Sequence, residues 1–258
     1  SMTIRMYPQC NYVYLNGGIR NNITNNTFSG GKYGVALVAN VAATVTRQAI
    51  TDNVISGNTI SNMIESGVCI DGNATSLGNG AAYITTTAAN TVLNGSPGRI
   101  DLSHAVASAD VASNCVATFQ SGKLRGRSYS ISSSPTTTSI VLSDDFQSLA
   151  GASYGTTVAA GDVLTIEVDM RRNKIVNNNF TTCGMSGVSI LGCGSDTIID
   201  GNTTVTGSNP SIRSTARAGV YIAGNLAAYG TAAGSLGAHP TNASYGRAVL
   251  NPHNVIVT

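Results

Sequence analysis

Glu65 and Asp71 bracket the run Glu65-Ser-Gly-Val-Cys-Ile-Asp71. In an extended strand, side chains two apart face the same way, so both carboxylates fall on one outer face of such a run. Carboxylates on one face suggest general acid and base work on a glycosidic bond. That chemistry needs two of them, about 5–5.5 Å apart for retention and about 6.5–9.5 Å for inversion. Six residues of strand at about 3.3 Å each put Glu65 and Asp71 roughly 20 Å apart, so they do not pair by themselves. Asp196 and Asp200, after a later copy of the run, are candidate partners, as are Asp101 and Asp169. A neighbouring subunit is another source. Glu65, Asp71 and Asp196 are the candidate catalytic residues. Lys32, Arg217, Tyr14 and Tyr221 are the candidate substrate-binding residues. The two tyrosines offer flat rings on which sugars stack.

Plainer readings stand beside these. Glu65 with Lys32 is an ordinary surface ion pair, worth little. Asp71 and Asp200 each open an Asp-Gly-Asn triplet, which suits an Asx-type turn. A lyase would need cations to hold a uronic acid carboxylate, for which Lys32, Arg213, Arg217, Arg171 and Arg172 are candidates. No clustered Asp set of the kind calcium needs is visible. His104, His239 and His253 are scattered, without partners at metal or triad spacing. Cys10, Cys69, Cys115, Cys183 and Cys193 include no Cys-x-x-Cys pair, so neither a zinc site nor a disulfide framework is expected. They read as small, buried or half-buried thiols. No metal and no cofactor is expected.

Composition narrows the partners. Charged residues are 10% of the 258, and the net charge is +2. There is no Lys/Arg stripe, so no nucleic acid is expected. No run of about 18 apolar residues exists, so no membrane insertion is expected. No signal peptide is visible. Low charge with abundant Gly, Ser, Thr and Asn suits short strands and tight turns better than amphipathic helices.

The elements that must position these residues are written as a repeat. The first copy runs Ile23 to Phe28 (ITNNTF) and continues as Gly34 to Leu37 (GVAL). The second is Ile55 to Ile60 (ISGNTI) with Gly67 to Ile70 (GVCI). The third is Ile175 to Phe180 (IVNNNF) with Gly187 to Ile190 (GVSI). The fourth is Ile199 to Thr204 (IDGNTT) with Gly219 to Ile222 (GVYI). Such a unit cannot bury its apolar face alone, so the copies must stack. Alternation puts Val35, Leu37 and their counterparts, through Val220 and Ile222, in an inward column. Gly34, Ala36 and Val38 then point out. Tyr12-Val13-Tyr14-Leu15 reads as an earlier copy.

Three outward columns follow from aligning the Gly-Val positions: Lys32, Glu65, Met185 and Arg217; Tyr14, Ala36, Cys69, Ser189 and Tyr221; and Asn16, Val38, Asp71, Leu191 and Ala223. Asn26, Asn58, Asn178 and Asn202 form a further column. Stacked strands lie about 4.7–4.9 Å apart, a spacing at which amides hydrogen-bond along the axis.

The period breaks once. Asn58 to Asn178 is 120 residues, whereas Asn178 to Asn202 is 24. The predicted organisation is therefore stacked copies over 1–73, an inserted small β-domain over 74–170, and stacked copies again over 171–258. Strands are predicted at KLRGRSYSI, TTTSIVL and DVLTIEVDM, and 81–116 reads as one or two irregular rungs. Both ends stop in mid-pattern, which predicts a piece of a longer protein.

The pattern IxxNxI…GVxI, carried by Ile23, Asn26, Phe28, Gly34, Val35 and their counterparts, resembles the right-handed parallel β-helix of the pectate-lyase-like superfamily. The resemblance implies an all-β solenoid, and it is closest in character to bacteriophage tailspikes. It implies a homotrimer, on a virion or extracellular, that binds and degrades a bacterial surface polysaccharide. A β-helical adhesin that grips glycan without cutting it, and a secreted polysaccharide lyase or epimerase, would carry the same stack.

Overall fold

A computed structural model describes residues 10–39, 48–72, 81–86, 99–103, 114–122, 124–125, 128–136, 138–142, 158–191, 196–205, 212–214, 220–223, 226–229, 232–233 and 256–257. The chain is all-β, with no helix among the described residues and several parallel sheets.

Each repeat lays one short strand on each of three parallel sheets before the next repeat begins. The first sheet takes Val13–Asn16, Val35–Val38, Ser66–Asp71, Ser186–Leu191 and Ile212–Ser214 in that order. The second takes Asn22–Thr24, Val54–Ser56, Lys174–Val176, Thr197–Asp200, Val220–Ala223 and Ile256–Val257. The third takes Thr27–Ser29, Thr59–Ser61, Asn179–Thr181, Thr203–Val205 and Leu226–Tyr229, closed by an antiparallel Ala232–Ala233. The register is uniform along the stack. Val35 lies opposite Val13 and Val68, and Val68 lies opposite Val188. Ile23, Ile55, Ile175 and Ile199 line up on the second sheet. Phe28, Ile60 and Phe180 line up on the third. These columns meet in one core with Val35, Leu37, Val68, Ile70, Val188 and Ile190.

The glycines before Val35 and Val68 have a steric cause. A Cβ on Gly34 would strike Ile60, and one on Gly67 would strike Phe180. These positions look into the core beside Val35 and Val68. They are not outward, as strict alternation from Val35 predicts.

Two columns of asparagine fasten the rows. In the predicted one, Asn58 Oδ1 accepts from the backbone N–H of Asn26 at 2.9 Å and from its Nδ2 at 3.1 Å. Asn178 Oδ1 accepts in the same way from Asn58 at 3.0 and 2.9 Å, and Asn202 Oδ1 from Asn178 at 2.9 and 2.9 Å. Each buried amide also donates back, Asn178 Nδ2 to the carbonyl of Ile55 at 2.9 Å and Asn202 Nδ2 to that of Ile175 at 2.8 Å. Asn21, Asn53 and Asn173 form a second column with the same bonding, one corner earlier. That second column ends at Thr197, whose buried hydroxyl oxygen has no hydrogen-bond partner.

The fourth Gly-Val-x-Ile string departs from its expected place. Val220–Ala223 lies on the second sheet, with Tyr221 opposite Ile198 and Ile222 opposite Ile199. Its place on the first sheet is taken by Ile212–Ser214, with Arg213 opposite Ser189. The physical reason is in the residues. Ile222-Ala-Gly-Asn225 repeats Ile199-Asp-Gly-Asn202, so the string fits the corner pattern as well as the strand pattern.

Residues between Gly72 and Asp169 hold a six-stranded antiparallel sheet: Ala81–Thr86, Val163–Val168, Cys115–Phe119, Ser128–Thr136, Ser139–Leu142 and Arg99–Asp101. It has its own core around Phe119, Leu124, Ile131, Ile140, Leu164 and Ile166. The described strands of 81–116 belong to this sheet and not to further rows of the stack. The junction is a buried ion pair. Arg171 donates through Nε to Asp169 Oδ1 at 2.9 Å and through Nη2 to Oδ2 at 3.0 Å. The same guanidinium bonds the Ser128 carbonyl at 3.3 Å and the Ser130 hydroxyl. One side chain thus joins the stack to the antiparallel sheet.

Three stability changes are expected. Asn178→Ala leaves the N–H and Nδ2 of Asn58 without their acceptor. At about 1–3 kcal/mol per buried orphan, the loss in urea unfolding is about 3 kcal/mol or more. Arg171→Ala leaves Asp169 buried and uncompensated, costing about 3–5 kcal/mol in the same measurement. Thr197→Asn extends the second amide column and raises the melting temperature, by an amount equivalent to about 1 kcal/mol.

Candidate functional site

The corner between the third and first sheets gathers the reactive groups. Gly30 and Gly31 turn the chain there, both with positive φ, at 83° and 110°. A Cβ at Gly31 would run into the Cys10 carbonyl. Backbone bonds lock successive corners together: Glu65 N–H to the Lys32 carbonyl at 3.0 Å, and Met185 N–H to that of Glu65 at 2.9 Å. The expected column Lys32, Glu65, Met185 is therefore present. Lys32 Nζ lies 3.3 Å from Glu65 Oε1, and both side chains are about one-third exposed (35% and 29%).

Tyr33 completes this cluster. Its hydroxyl donates to Glu65 Oε2, and Lys32 Nζ sits 5.2 Å from the centre of its ring. Burial pushes the Tyr33 hydroxyl far above the ordinary tyrosine range. The bond to Glu65 adds to this, followed by the negative fields of Cys69, Glu65 and Asp71. Tyr33 is therefore a hydrogen-bond donor throughout the physiological range, and never a base. Tyr12, Tyr14 and Ile64 are the large apolar side chains exposed around this end of the first sheet. Tyr12 also stacks at 5.2 Å on Phe28.

The rest of that outer face is closed. Tyr14, Ala36, Cys69 and Ser189 do form one column. Tyr14 is 48% exposed, whereas Ala36, Cys69 and Ser189 are at 0–2%. Ser66, Ser186 and Ser189 bond one another at 2.7–3.0 Å and are equally buried. The expected open face thus narrows to its corner.

The remaining candidates are dispersed. Asp71 stands at the far end of the continuous strand Ser66–Asp71, flanked by Val38 and Leu191. Asp196 lies beyond that far end, on the corner leading into the second sheet, with φ at 57°. It closes a column of left-handed, alternately charged corner residues: Arg20, Asp52, Arg172 and Asp196, with φ of 57–61°. Arg172 grips Asp52 at 2.8 and 3.1 Å and holds its carboxyl below the usual carboxylate range. That contribution is present above the ordinary carboxylate pKa and fades as pH falls through the lowered one. It is small, because the pair is exposed and screened. Arg171 is committed to Asp169 and Arg172 to Asp52, which removes both as carboxylate-holding groups of a lyase. Asp101 is paired with Arg99 at 2.9 Å. Asp200 ends a strand of the second sheet, next to Val176 and Ala223.

Tyr221 is on the second sheet, so it shares no column with Tyr14. Arg217, Cys193, His104, His239 and His253 lie outside the described residues. No group of three or more His, Cys, Asp or Glu able to hold a metal occurs among the described residues. Tyr33 is the site residue that sequence reasoning passed over. The available signal was its place in the copies, where Ser66 and Ser186 stand at the same position before the glycine.

No protein-family model matches this chain, and no curated protein matches it.

The thiols separate by environment. Burial raises Cys183 to about 11, and Cys69 and Cys115 are also buried, whereas Cys10 is exposed. At about pH 8, iodoacetamide is expected to label Cys10 in the native protein and to reach Cys183 only on unfolding. Peptide mass spectrometry showing equal labelling rates at the two would contradict this burial.

Proposed function

We propose that this chain is a right-handed parallel β-helix of the pectate-lyase-like kind and acts as a tailspike-type protein. It binds a bacterial surface polysaccharide at the Lys32–Tyr33–Glu65 corner and contributes to cleaving it. The observation that carries this reading is the corner itself. A carboxylate oriented by two donors stands two rows along the stack from the exposed rings of Tyr12 and Tyr14, an arrangement suited to gripping sugar hydroxyls at one edge and sugar faces at the other. The stacked rows, the low charge and the projecting antiparallel sheet are in keeping with such a spike.

Cleavage would use Glu65 as acid or base, with its partner carboxylate from a second subunit of a homotrimer, since Asp71 is a full strand away. The spike would then work on a virion or outside a cell. A second reading, binding without cleavage, is favoured by one observation. Lys32 and Tyr33 engage both oxygens of Glu65, which suits a fixed acceptor better than a group that must release a proton.

Incubation with capsular and O-antigen polysaccharides, followed by product analysis, separates these readings. Hydrolysis gives saturated ends, and a lyase gives ultraviolet-absorbing unsaturated ends. Glu65→Gln is expected to abolish cleavage, and Tyr14→Ala to weaken binding by about tenfold, as loss of a stacking contact of about 1–1.5 kcal/mol does. Asp71→Asn is expected to leave the activity of one subunit's corner intact. Binding without any products retains the spike and removes the enzyme. No binding to any glycan removes both.

A further inference from the structure

Tyr33 stands in a position that the neighbouring rows fill with serine. Ser66 and Ser186 are opposite one another on the first sheet, one residue before the glycine, and Tyr33 is their counterpart in the preceding row. The larger side chain reaches across to the next row and donates to Glu65 Oε2. Lys32 takes the other oxygen at 3.3 Å. We propose that Tyr33 is a specificity-determining residue. With Lys32 it pins Glu65 as a fixed acceptor, so the corner takes a glycan through uncharged hydroxyls and rejects uronate-bearing chains. This deepens, and rests on, the reading of the corner as a glycan site.

The charges around the corner carry the inference. A uronate would have to win Lys32 from Glu65 while facing the carboxylates of Glu65 and, farther along the strand, Asp71. Like charges brought together across an interface discriminate strongly against the wrong partner. A hydroxyl meets no such opposition. A carboxylate offers about four lone-pair positions; Lys32 and Tyr33 occupy two, and the exposed third of the Glu65 side chain keeps the others for sugar O–H donors. Tyr33 stays protonated, so its hydroxyl proton remains committed to Glu65 Oε2. Losing its bond frees Glu65 to swing without emptying the corner, because the ring over Lys32 is kept in phenylalanine.

Affinity electrophoresis tests this with four polymers, neutral dextran and galactomannan against alginate and polygalacturonate, together with neutral and acidic O-antigen chains. Wild type is expected to be retarded by neutral chains only. Tyr33→Phe is expected to bind them about tenfold more weakly while remaining folded at the assay temperature, because Glu65 loses the bond that pins it. Glu65→Gln frees Lys32 and is expected to gain binding to uronate chains that disappears at about 0.5 M salt, where screening is nearly complete. Adding Tyr33→Phe to Glu65→Ala should change nothing further, because alanine leaves the Tyr33 hydroxyl no acceptor and Tyr33 acts through Glu65. Additive losses, or Tyr33→Phe binding like wild type, overturn the role of Tyr33. Wild type that prefers uronate chains overturns the selectivity but leaves the glycan site standing. Wild type that binds none of the polysaccharides overturns the glycan site and this inference with it.

Discussion

An asparagine amide that repeats at the same corner of four successive described rows, buried in three of them, holds this molecule in register. Parallel strands can slide along one another by two residues and still pair backbone to backbone, and an apolar column tolerates such slips with modest loss. The asparagine column does not. Asn58, Asn178 and Asn202 are buried, and each takes its donors from one residue of the preceding row. A slip would orphan several buried polar groups at once, each costing about 1–3 kcal/mol. The apolar columns supply most of the burial, and the amide columns decide which rows meet.

That constraint explains how the chain tolerates a long excursion. Asn58 and Asn178 are 120 residues apart and bond as closely as Asn178 and Asn202, which are 24 apart. Loop closure costs grow only slowly with length, so a segment with its own sheet and core can leave the stack at one corner and return at the same place. The return is fastened by Arg171 and Asp169, which are buried together. An isolated buried pair of this kind adds little net stability, but it penalises any arrangement in which the two are apart.

The same row-on-row geometry makes and limits the site. It brings Lys32, Tyr33 and Glu65 together from two neighbouring rows. It also holds Asp71 a strand length from Glu65 and Asp196 at the opposite corner. A rigid stack cannot bend to bring these carboxylates to a common bond. Chemistry needing two acids must therefore recruit the second from elsewhere, whereas recognition needs only the corner.

Much of this was legible from residue spacing. The recurrence of Ile, Asn and Gly-Val fixed the parallel columns and the Lys32–Glu65 neighbour pair, because a stacked repeat translates sequence period directly into contact. The second amide column, at Asn21, Asn53 and Asn173, emerged only from the structure, although it recurs at the same spacing. Spacing failed where one string satisfied two patterns. Val220–Ala223 took the second sheet because Ile222-Ala-Gly-Asn225 also matches a corner. It failed again where a side chain's reach mattered more than its position. Sequence by itself determined which residues share a column. Tertiary structure alone decided that Tyr33 crosses to Glu65 and that Cys69 and Ser189 are shut away from solvent. Exposure and side-chain reach depend on everything packed around a residue, which no local period records.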